Sequence, residues 1–149
     1  MKNQNGEDKK YVLDSSAFLT LFEDEKGAET VQELLERAKK GEVVIFVCFA
    51  TFAEVFYITF REQGQEEARK RVKLMSRLAI TRVESSEELG LIAGRLKATR
   101  KLSFADAWIA ATAVLYDSTL VHKDPEFEKL EDEVKVLKLP YKLINVVAF

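Results

Sequence analysis

Residues 43–60, VVIFVCFATFAEVFYITF, decide the fold class, because a continuous apolar run passes directly into a helical pattern. The first part, VVIFVCF, is rich in β-branched and aromatic residues, which is typical of a parallel strand covered on both faces. The second part continues as far as residue 63 and predicts a helix. A buried strand followed at once by a helix is the repeating unit of α/β domains.

The same order of strand and helix recurs on both sides of this stretch. Before it, YVL predicts a strand, SSAFLTLF predicts a helix, and AETVQELLERAKKG predicts a second helix that stops at Gly41. After it, the pattern predicts helices at 66–79, at 86–100 and from Ser103, and strands at 80–83 (ITRV), 118–121 (STLV) and 135–139 (KVLKL). This alternation predicts a three-layer α/β/α sandwich with a mostly parallel central sheet.

Length and composition indicate one globular domain. The chain has 149 residues, of which 47% are hydrophobic and 32% charged, and this excludes a disordered, collagen-like or coiled-coil chain. We predict a flexible tail at residues 1–10 and a single domain over residues 11–149. The closing YKLINVVAF is unusually apolar for a terminus, so it is either an extra strand or a patch covered by a partner chain.

The chain holds one cysteine, Cys48, and one histidine, His122. An internal disulfide is therefore excluded, and a Cys/His zinc site cannot be assembled within one chain. The opening MKNQNGEDKK lacks the apolar core of a signal peptide, and no stretch approaches the ~20 apolar residues that a membrane helix needs. These features predict a cytoplasmic protein with no membrane partner.

The net charge argues against a protein that binds nucleic acid through bulk positive charge. Lys and Arg number 23 against 25 Asp and Glu, so the formal net charge is -2. Simple electropositive nucleic-acid binders usually have a pI above ~9. An enzyme that acts on nucleic acid remains compatible with this balance, because the total says nothing about where the acids lie.

Three carboxylates stand alone in apolar segments. Asp14 lies in YVLDSSAFLTLF, Glu54 in residues 43–60, and Asp106 in LSFADAWIAATAVLY. Burying an unpaired charge is costly, so each of them needs a compensating partner. Most of the other acids lie beside lysines and arginines, where solvated pairing accounts for them.

Helix capping is the alternative explanation for some of these acids. Asp14 follows a predicted strand and precedes a helix, Asp106 lies three residues after Ser103, and Asp124 stands just before Pro125 and the helical pattern EFEKLEDE. Capping does not account for Glu54, which lies inside a helical pattern. Its alternative is an amphipathic glutamate whose head reaches solvent.

The joint pattern predicts a cation site. In an α/β sandwich, the helix starts at Asp14, Asp106 and Asp124 can point toward one edge of the sheet, and Glu54 lies in a helix that leaves another strand. Four converging carboxylates repel one another unless a cation intervenes. Oxygen ligands alone suit Mg²⁺ or Mn²⁺, which can activate water and stabilise an in-line phosphoryl displacement. The expected chemistry is that of a nuclease or a phosphatase.

These segments resemble a known family. VLDSS, AEV, LSFADAWIAATA and LVHKDPEF are similar, in that order, to the four acidic motifs of the PIN domain, over about residues 11–139. The resemblance implies a metal-dependent ribonuclease with Asp14 and Asp106 as the main ligands of Mg²⁺ or Mn²⁺, and with Glu54 and Asp124 binding directly or through water. Ser16 matches a small polar position near the metal.

The resemblance also implies partners. Short single-domain members resemble VapC toxins, so it implies an RNA substrate, a small antitoxin that covers the cleft, and a homodimer. One departure is His122, which stands where many relatives have Thr or Ser. The sequence favours a strand-end histidine without chemistry over a catalytic base at this position.

The RNA contacts have two candidate basic groups. One is Arg69, Lys70, Arg71, Lys73 and Arg77, for which a solvated helix face is the simpler explanation, and the other, favoured for its position just before Asp106, is Arg95, Lys97, Arg100 and Lys101. Phe104 and Trp108 are expected in the core rather than as base-stacking platforms.

Other functions remain open at this point. An aspartyl-phosphate phosphatase also begins with an aspartate after the first strand, but Ser16 stands where that chemistry usually needs a second aspartate. A PIN fold could also serve RNA processing, or be retained only as an RNA- or protein-binding module. The four acids argue against the binding module, because such a module has no reason to keep mutually repelling charges in apolar segments.

Overall fold

The computed structural model describes residues 9–141. Strands are separated by helices along the chain, and the strands and α-helices fall close to their predicted positions. In chain order they are β1 (Lys10–Leu13), α1 (Ser15–Phe22), α2 (Ala28–Lys39), β2 (Val44–Cys48), α3 (Phe49–Gln63), α4 (Gln65–Arg77), β3 (Thr81–Val83), α5 (Glu87–Arg100), α6 (Phe104–Leu115), β4 (Thr119–His122), a 3-10 helix (Pro125–Leu130) and β5 (Val136–Lys138).

The five strands form one sheet in the order β3-β2-β1-β4-β5, and every neighbouring pair is parallel. The chain builds outward from β1 to β2 and β3, and then returns to place β4 on the other side of β1. The strand order therefore reverses between β1 and β4, which is where open α/β sheets usually bind ligands, beyond the carboxyl ends of the strands.

Helices cover both faces of the sheet, as the predicted sandwich requires. Because successive strand residues point to opposite faces, Val12 and Leu120 pack on one side while Leu13 and Val121 pack on the other. The first side is closed mainly by α5 and α6, and the second by α1, α2, α3 and α4. Burial on both faces explains why the strands read as continuous apolar runs.

The last part of the domain differs in detail from the sequence prediction. The helical pattern EFEKLEDE becomes a short 3-10 helix that ends at Leu130, because the chain must turn back to lay β5 alongside β4. Strand β1 begins at Lys10, inside the range predicted as a tail. Residues 1–8 and 142–149 lie outside the described residues, and with them most of YKLINVVAF, the segment expected to be either an extra strand or a patch covered by a partner chain.

Within residues 9–141, none of the helices has the length and apolar character needed to cross a membrane.

Candidate metal centre

Four predicted acids lie near the carboxyl ends of the strands, each placed by a different part of the chain. Asp14 directly follows β1, and Asp124 follows β4 by two residues. Glu54 lies in α3, the helix that leaves β2, and Asp106 lies in the first turn of α6. The parallel sheet brings these segments to one edge, because every strand ends on the same side.

Asp14, Glu54 and Asp106 form a carboxylate cluster. Each offers one oxygen, and these oxygens all lie within 4.8 Å of one another. Asp14 is 1% exposed and Asp106 7% exposed, while Glu54 is half-buried. The sequence is thus folded so that three acids that are far apart along the chain share one small, largely dehydrated space.

Asp14 both caps a helix and belongs to the cluster. Its Oδ2 accepts hydrogen bonds from the backbone N–H of Ser16, at 3.1 Å, and from the Ser16 hydroxyl. Its own N–H donates to the carbonyl oxygen of Val121 at 3.1 Å, which ties the start of α1 to β4. The capping interpretation and the metal-site interpretation are therefore compatible for this residue.

The start of α6 is held in a similar way. The Ser103 hydroxyl accepts a hydrogen bond from the Asp106 N–H at 3.2 Å, so the predicted N-cap is confirmed. Glu54 takes a different contact: its Oε1 accepts a hydrogen bond from the Ser15 hydroxyl at 2.8 Å. The glutamate of α3 is thereby tied to α1, and its head does not simply extend into solvent.

The electrostatics of the cluster favour a bound cation. Burial, reinforced by the charges of Asp14, Glu54 and Asp124, raises the pKa of Asp106 from 3.8 to about 7. Burial, opposed by the Ser16 hydroxyl and reinforced by Glu54, raises the pKa of Asp14 from 3.8 to about 6. The pKa of Glu54 is also raised, mainly by burial. Carboxyls that repel one another in this way can all ionise when a positive ion lies between them.

The donor set fits a hard divalent ion. Asp14, Glu54 and Asp106 supply carboxylate oxygens only, and these are the ligands that Mg²⁺ and Mn²⁺ prefer. Sulfur and imidazole ligands are absent from this set, which argues against a zinc site of the usual kind.

Asp124 lies beside this cluster rather than within it. Its Oδ1 accepts the backbone N–H of Glu126 at 3.0 Å and caps the 3-10 helix, as its position before Pro125 predicts. Its charge nevertheless raises the pKa values of Asp106 and Glu54. The structure thus brings three of the four predicted acids into contact distance of one ion and leaves the fourth as a close neighbour.

His122 supports the segment that carries Asp124. Its Nδ1 accepts the backbone N–H of Asp124 at 3.1 Å, and the imidazole, 0% exposed, packs edge-on against Phe127. Burial lowers the pKa of His122, which keeps the ring neutral and able to accept. The histidine therefore acts as a structural acceptor, as Thr or Ser would, and this agrees with the interpretation that gave it no chemistry.

A further hydrogen bond joins the segment after β4 to the carboxylate cluster. The Ser16 hydroxyl accepts the backbone N–H of Lys123 at 2.8 Å while it donates to Asp14. One hydroxyl thus links the end of β4 to the start of α1. This places Ser16 next to the predicted ligands, where the family resemblance expects a small polar residue.

The basic group favoured for RNA contact is largely engaged within the protein. Arg95 and Arg100 form ion pairs with Glu133, and Arg100 also pairs with Asp132. Lys97 donates to the carbonyl oxygen of Leu102 at 2.7 Å. The two arginines join α5 to the segment after the 3-10 helix, and Lys97 joins α5 to the loop before α6, roles that their positions in the sequence do not reveal.

In the other basic group, Arg71 is also committed to the fold. It is 5% exposed and forms an ion pair of 2.6 Å with Glu23 and another of 3.4 Å with Glu67. Its guanidinium also lies over the ring of Phe22, 5.4 Å from the ring centroid, which is within the reach of about 6 Å for a cation–π contact. This arginine joins α4 to the end of α1.

An aromatic groove adjoins the acidic cluster. Phe104 is 70% exposed, so the expectation that it belongs to the core is wrong. It stands at the start of α6 with its ring edge-on to Trp108, and the two residues line a groove of about 800 Å³ together with Phe49, Tyr57 and Glu54. The apolar spacing of FADAWIAATA could not separate the buried face from this first exposed position.

Fold and site together define a class of protein: a parallel α/β domain with a carboxylate cluster at the point where its strand order reverses. The PIN domain family profile matches residues 11–133. This chain belongs to the PIN domain family.

Solved structures share the same fold. VapBC2 of Rickettsia felis, bound to a promoter DNA fragment, gives a TM-score of 0.70 at 16% identity, covering 88% of this chain and 99% of that one. VapC20 of Mycobacterium tuberculosis, a toxin that cleaves the sarcin-ricin loop, gives 0.66 at 14% identity, covering 86% and 98%. VapBC-5 of the same organism, from the VapBC family of toxin-antitoxin systems, gives 0.60 at 16% identity, covering 88% and 98%. No curated protein matches the sequence significantly.

Proposed function

We propose that the protein is a Mg²⁺- or Mn²⁺-dependent endoribonuclease that hydrolyses RNA phosphodiester bonds. The observation that carries this proposal is the cluster of Asp14, Glu54 and Asp106, whose oxygens lie within 4.8 Å of one another in a member of the PIN domain family. The proposal explains why a folded protein keeps three repelling carboxyls in an apolar setting.

In this proposal Asp14 and Asp106 are the main ligands of the ion, and Glu54 and Asp124 bind it directly or through water. A bound divalent ion supplies the positive charge that activates water and offsets the charge of the phosphate. The protein contributes the placement of the ligands, because the caps at Asp14 and Asp106 hold both acids on the rigid starts of helices.

The raised pKa values of Asp14 and Asp106 would make the charge of the site depend on pH. Without a cation, the pKa of Asp106 at about 7 and that of Asp14 at about 6 keep part of the cluster protonated near neutral pH. Binding of the ion would therefore release protons, since carboxylate ligands must be deprotonated. The half-buried Glu54 borders the open aromatic groove, which gives an RNA strand access to the cluster.

The comparisons support a more specific role. VapC20 is a toxin that cleaves the sarcin-ricin loop, and VapBC-5 belongs to the toxin-antitoxin systems. By extension, we propose that this chain is the toxin of a type II pair, bound and inhibited by a small antitoxin. A homodimeric state stays an implication of the family resemblance, and a cytoplasmic location stays a prediction of the sequence.

The test is RNA cleavage by the purified protein with and without Mg²⁺ or Mn²⁺. Cleavage should require the ion and should be lost in Asp106→Asn, which removes a ligand charge at almost constant volume. The matched control is Asp117→Asn, because Asp117 is an exposed aspartate just before β4, at the opposite edge of the sheet.

Two outcomes would contradict the proposal. Equal cleavage by the wild type and Asp106→Asn would show that the cluster is not the active site. RNA binding without cleavage at any divalent ion concentration would instead favour the non-catalytic binding module.

A further inference from the structure

Ser15 lies between the acids of the cluster and is not itself a predicted ligand. It is the first residue of α1, and it is 6% exposed. Its hydroxyl lies 2.8 Å from Oε1 of Glu54 and 3.3 Å from Oδ1 of Asp14. A hydroxyl has one proton to donate, and the shorter distance assigns that proton to Glu54.

The contact joins two helices that are far apart in the sequence. Ser15 and Glu54 are 39 residues apart, one at the start of α1 and the other inside α3. Asp14 and Asp106 are placed by their own helix starts, but a glutamate inside a helix has three flexible side-chain torsions and no cap to orient its head. Tyr57 of α3 also hydrogen-bonds Glu54, and the Ser15 hydroxyl is a buried donor that holds this carboxylate from the neighbouring helix.

The cap of α1 does not need this hydroxyl. Asp14 supplies the capping oxygen and accepts the N–H and the hydroxyl of Ser16. The side chain of Ser15 is therefore committed to the carboxylates and not to the helix end. An alanine in its place would keep the backbone of α1 and remove only the donor.

We propose that Ser15 is a positioning residue that holds the Glu54 carboxylate in the cation site. This inference rests on the proposed function, because it assigns Glu54 to the same metal centre. Groups that hydrogen-bond to metal ligands typically change metal affinity or activity by about 10- to 100-fold when they are removed. Ser15 acts through Glu54 and contacts neither the ion nor the RNA.

The experiment is a double-mutant cycle read out by Mn²⁺ affinity, measured by calorimetry, and by kcat/KM for RNA cleavage. The variants are Ser15→Ala, Glu54→Gln and the pair together. Ser15→Ala should weaken Mn²⁺ binding about 10-fold. In the Glu54→Gln background the same change should have little further effect, because the carboxylate that it positions is gone.

Two further variants separate positioning from folding. Ser15→Thr keeps a hydroxyl at the same carbon and should restore most of the Mn²⁺ affinity. Ser118→Ala removes another buried serine hydroxyl, one that donates to the carbonyl oxygen of Tyr116 just before β4, and should leave Mn²⁺ affinity unchanged.

The outcomes distinguish this inference from the proposed function. Wild-type Mn²⁺ affinity in Ser15→Ala, or an equal loss in the Glu54→Gln background, overturns the role of Ser15 while the nuclease stands. Mn²⁺ binding with the expected cycle but without RNA cleavage rejects the nuclease and keeps the positioning role. A wild type that binds no Mn²⁺ overturns both.

Discussion

Two regions of this protein shift the pKa values of their acidic residues in opposite directions. At the carboxyl edge of the sheet, burial and mutual repulsion raise the pKa values of Asp14 and Asp106. In the segment after the 3-10 helix, hydrogen bonds from Arg100 and Arg95 of α5 lower the pKa values of Asp132 and Glu133, respectively. The surface acids are satisfied within the chain, whereas the clustered acids are not.

The difference shows which acids are available for function. A carboxylate that is already paired with an arginine gains little from a second cation, and its pairing contributes to the fold. A buried carboxylate next to others is held ionised at an energetic cost, and that cost is relieved by a proton or by a cation from outside the chain. The raised pKa values thus mark the cluster, and the lowered ones mark the structural surface.

The largest expected difference between the two regions is in activity. Asp14→Asn should reduce kcat/KM for RNA cleavage by about 100-fold or more, since loss of a ligand should exceed the effect of losing a group that merely supports one. Asp132→Asn, a matched change in the paired region, should cleave RNA like the wild type. Comparable losses in both variants would remove the functional distinction between the regions.

The next effect is the pH dependence of stability in the metal-free protein. Because the folded-state pKa values of Asp14 and Asp106 lie above 3.8, at about 6 and about 7, protonation of these two carboxyls favours folding. Their contribution is fully present below pH 3.8 and is lost as the pH rises through about 6 and about 7.

In EDTA, the melting temperature should therefore fall by several degrees between pH 5 and pH 8, since about 1 kcal/mol corresponds to roughly 2–4 °C for a chain of this size. Asp106→Asn should flatten this profile and melt above the wild type at pH 8. Asp117→Asn provides the control for removal of an exposed aspartate. A wild-type profile that rises over this range would contradict the repulsion within the cluster.

Mn²⁺ should offset the loss of stability that the metal-free protein shows at high pH. At pH 8 the ion should raise the melting temperature of the wild type, because a ligand that binds only the folded state stabilises it. The increase should be smaller in Asp14→Asn and unchanged in Asp132→Asn. Differential scanning fluorimetry over a Mn²⁺ titration measures both, and an equal increase in all three proteins would indicate binding elsewhere.

A smaller effect is expected at His122, which adjoins the cluster without belonging to it. His122→Phe keeps an aromatic ring but removes the acceptor for the Asp124 N–H, and the loss of a partner for such a group costs about 1–3 kcal/mol. His122→Asn provides an oxygen near the position of Nδ1 and should retain more of the cleavage activity than His122→Phe. The reverse order would show that ring packing, and not the acceptor, is what matters.

The smallest effect is expected in the paired region. Arg95→Ala removes an exposed side chain whose ion pair with Glu133 is screened by solvent. The melting temperature should change by about 2 °C or less, and the change should shrink further in ~1 M salt. If Arg95→Ala lowers RNA cleavage at unchanged stability, Arg95 contacts the RNA.

Much of the fold could be predicted because its signals are local. Strand β2 is a continuous apolar run, α1 has helical apolar spacing, and Gly41 follows the end of α2. The acids Asp14, Glu54 and Asp106 were also visible, because each is isolated among apolar residues. These features depend on neighbours within a few positions, which a sequence displays directly.

Other features depend on contacts between distant segments. The exposure of Phe104 follows from where α6 begins relative to α3, and the pairing of Arg100 with Asp132 follows from the return of the chain toward β5. The hydrogen bond between Ser15 and Glu54 has only a weak signal in the sequence, which is the serine directly after Asp14. That Glu54 is its partner could not be identified without the packing of two helices.

By itself, the sequence determined the alternation of strands and helices, the position of each acid within its segment, and the chemistry that oxygen ligands allow. The tertiary structure decided that Asp14, Glu54 and Asp106 share one space, that Asp124 stands beside it, and that the arginines of α5 are already paired. The reason is physical: propensity and capping act over a few residues, whereas charge repulsion and burial depend on distances through space.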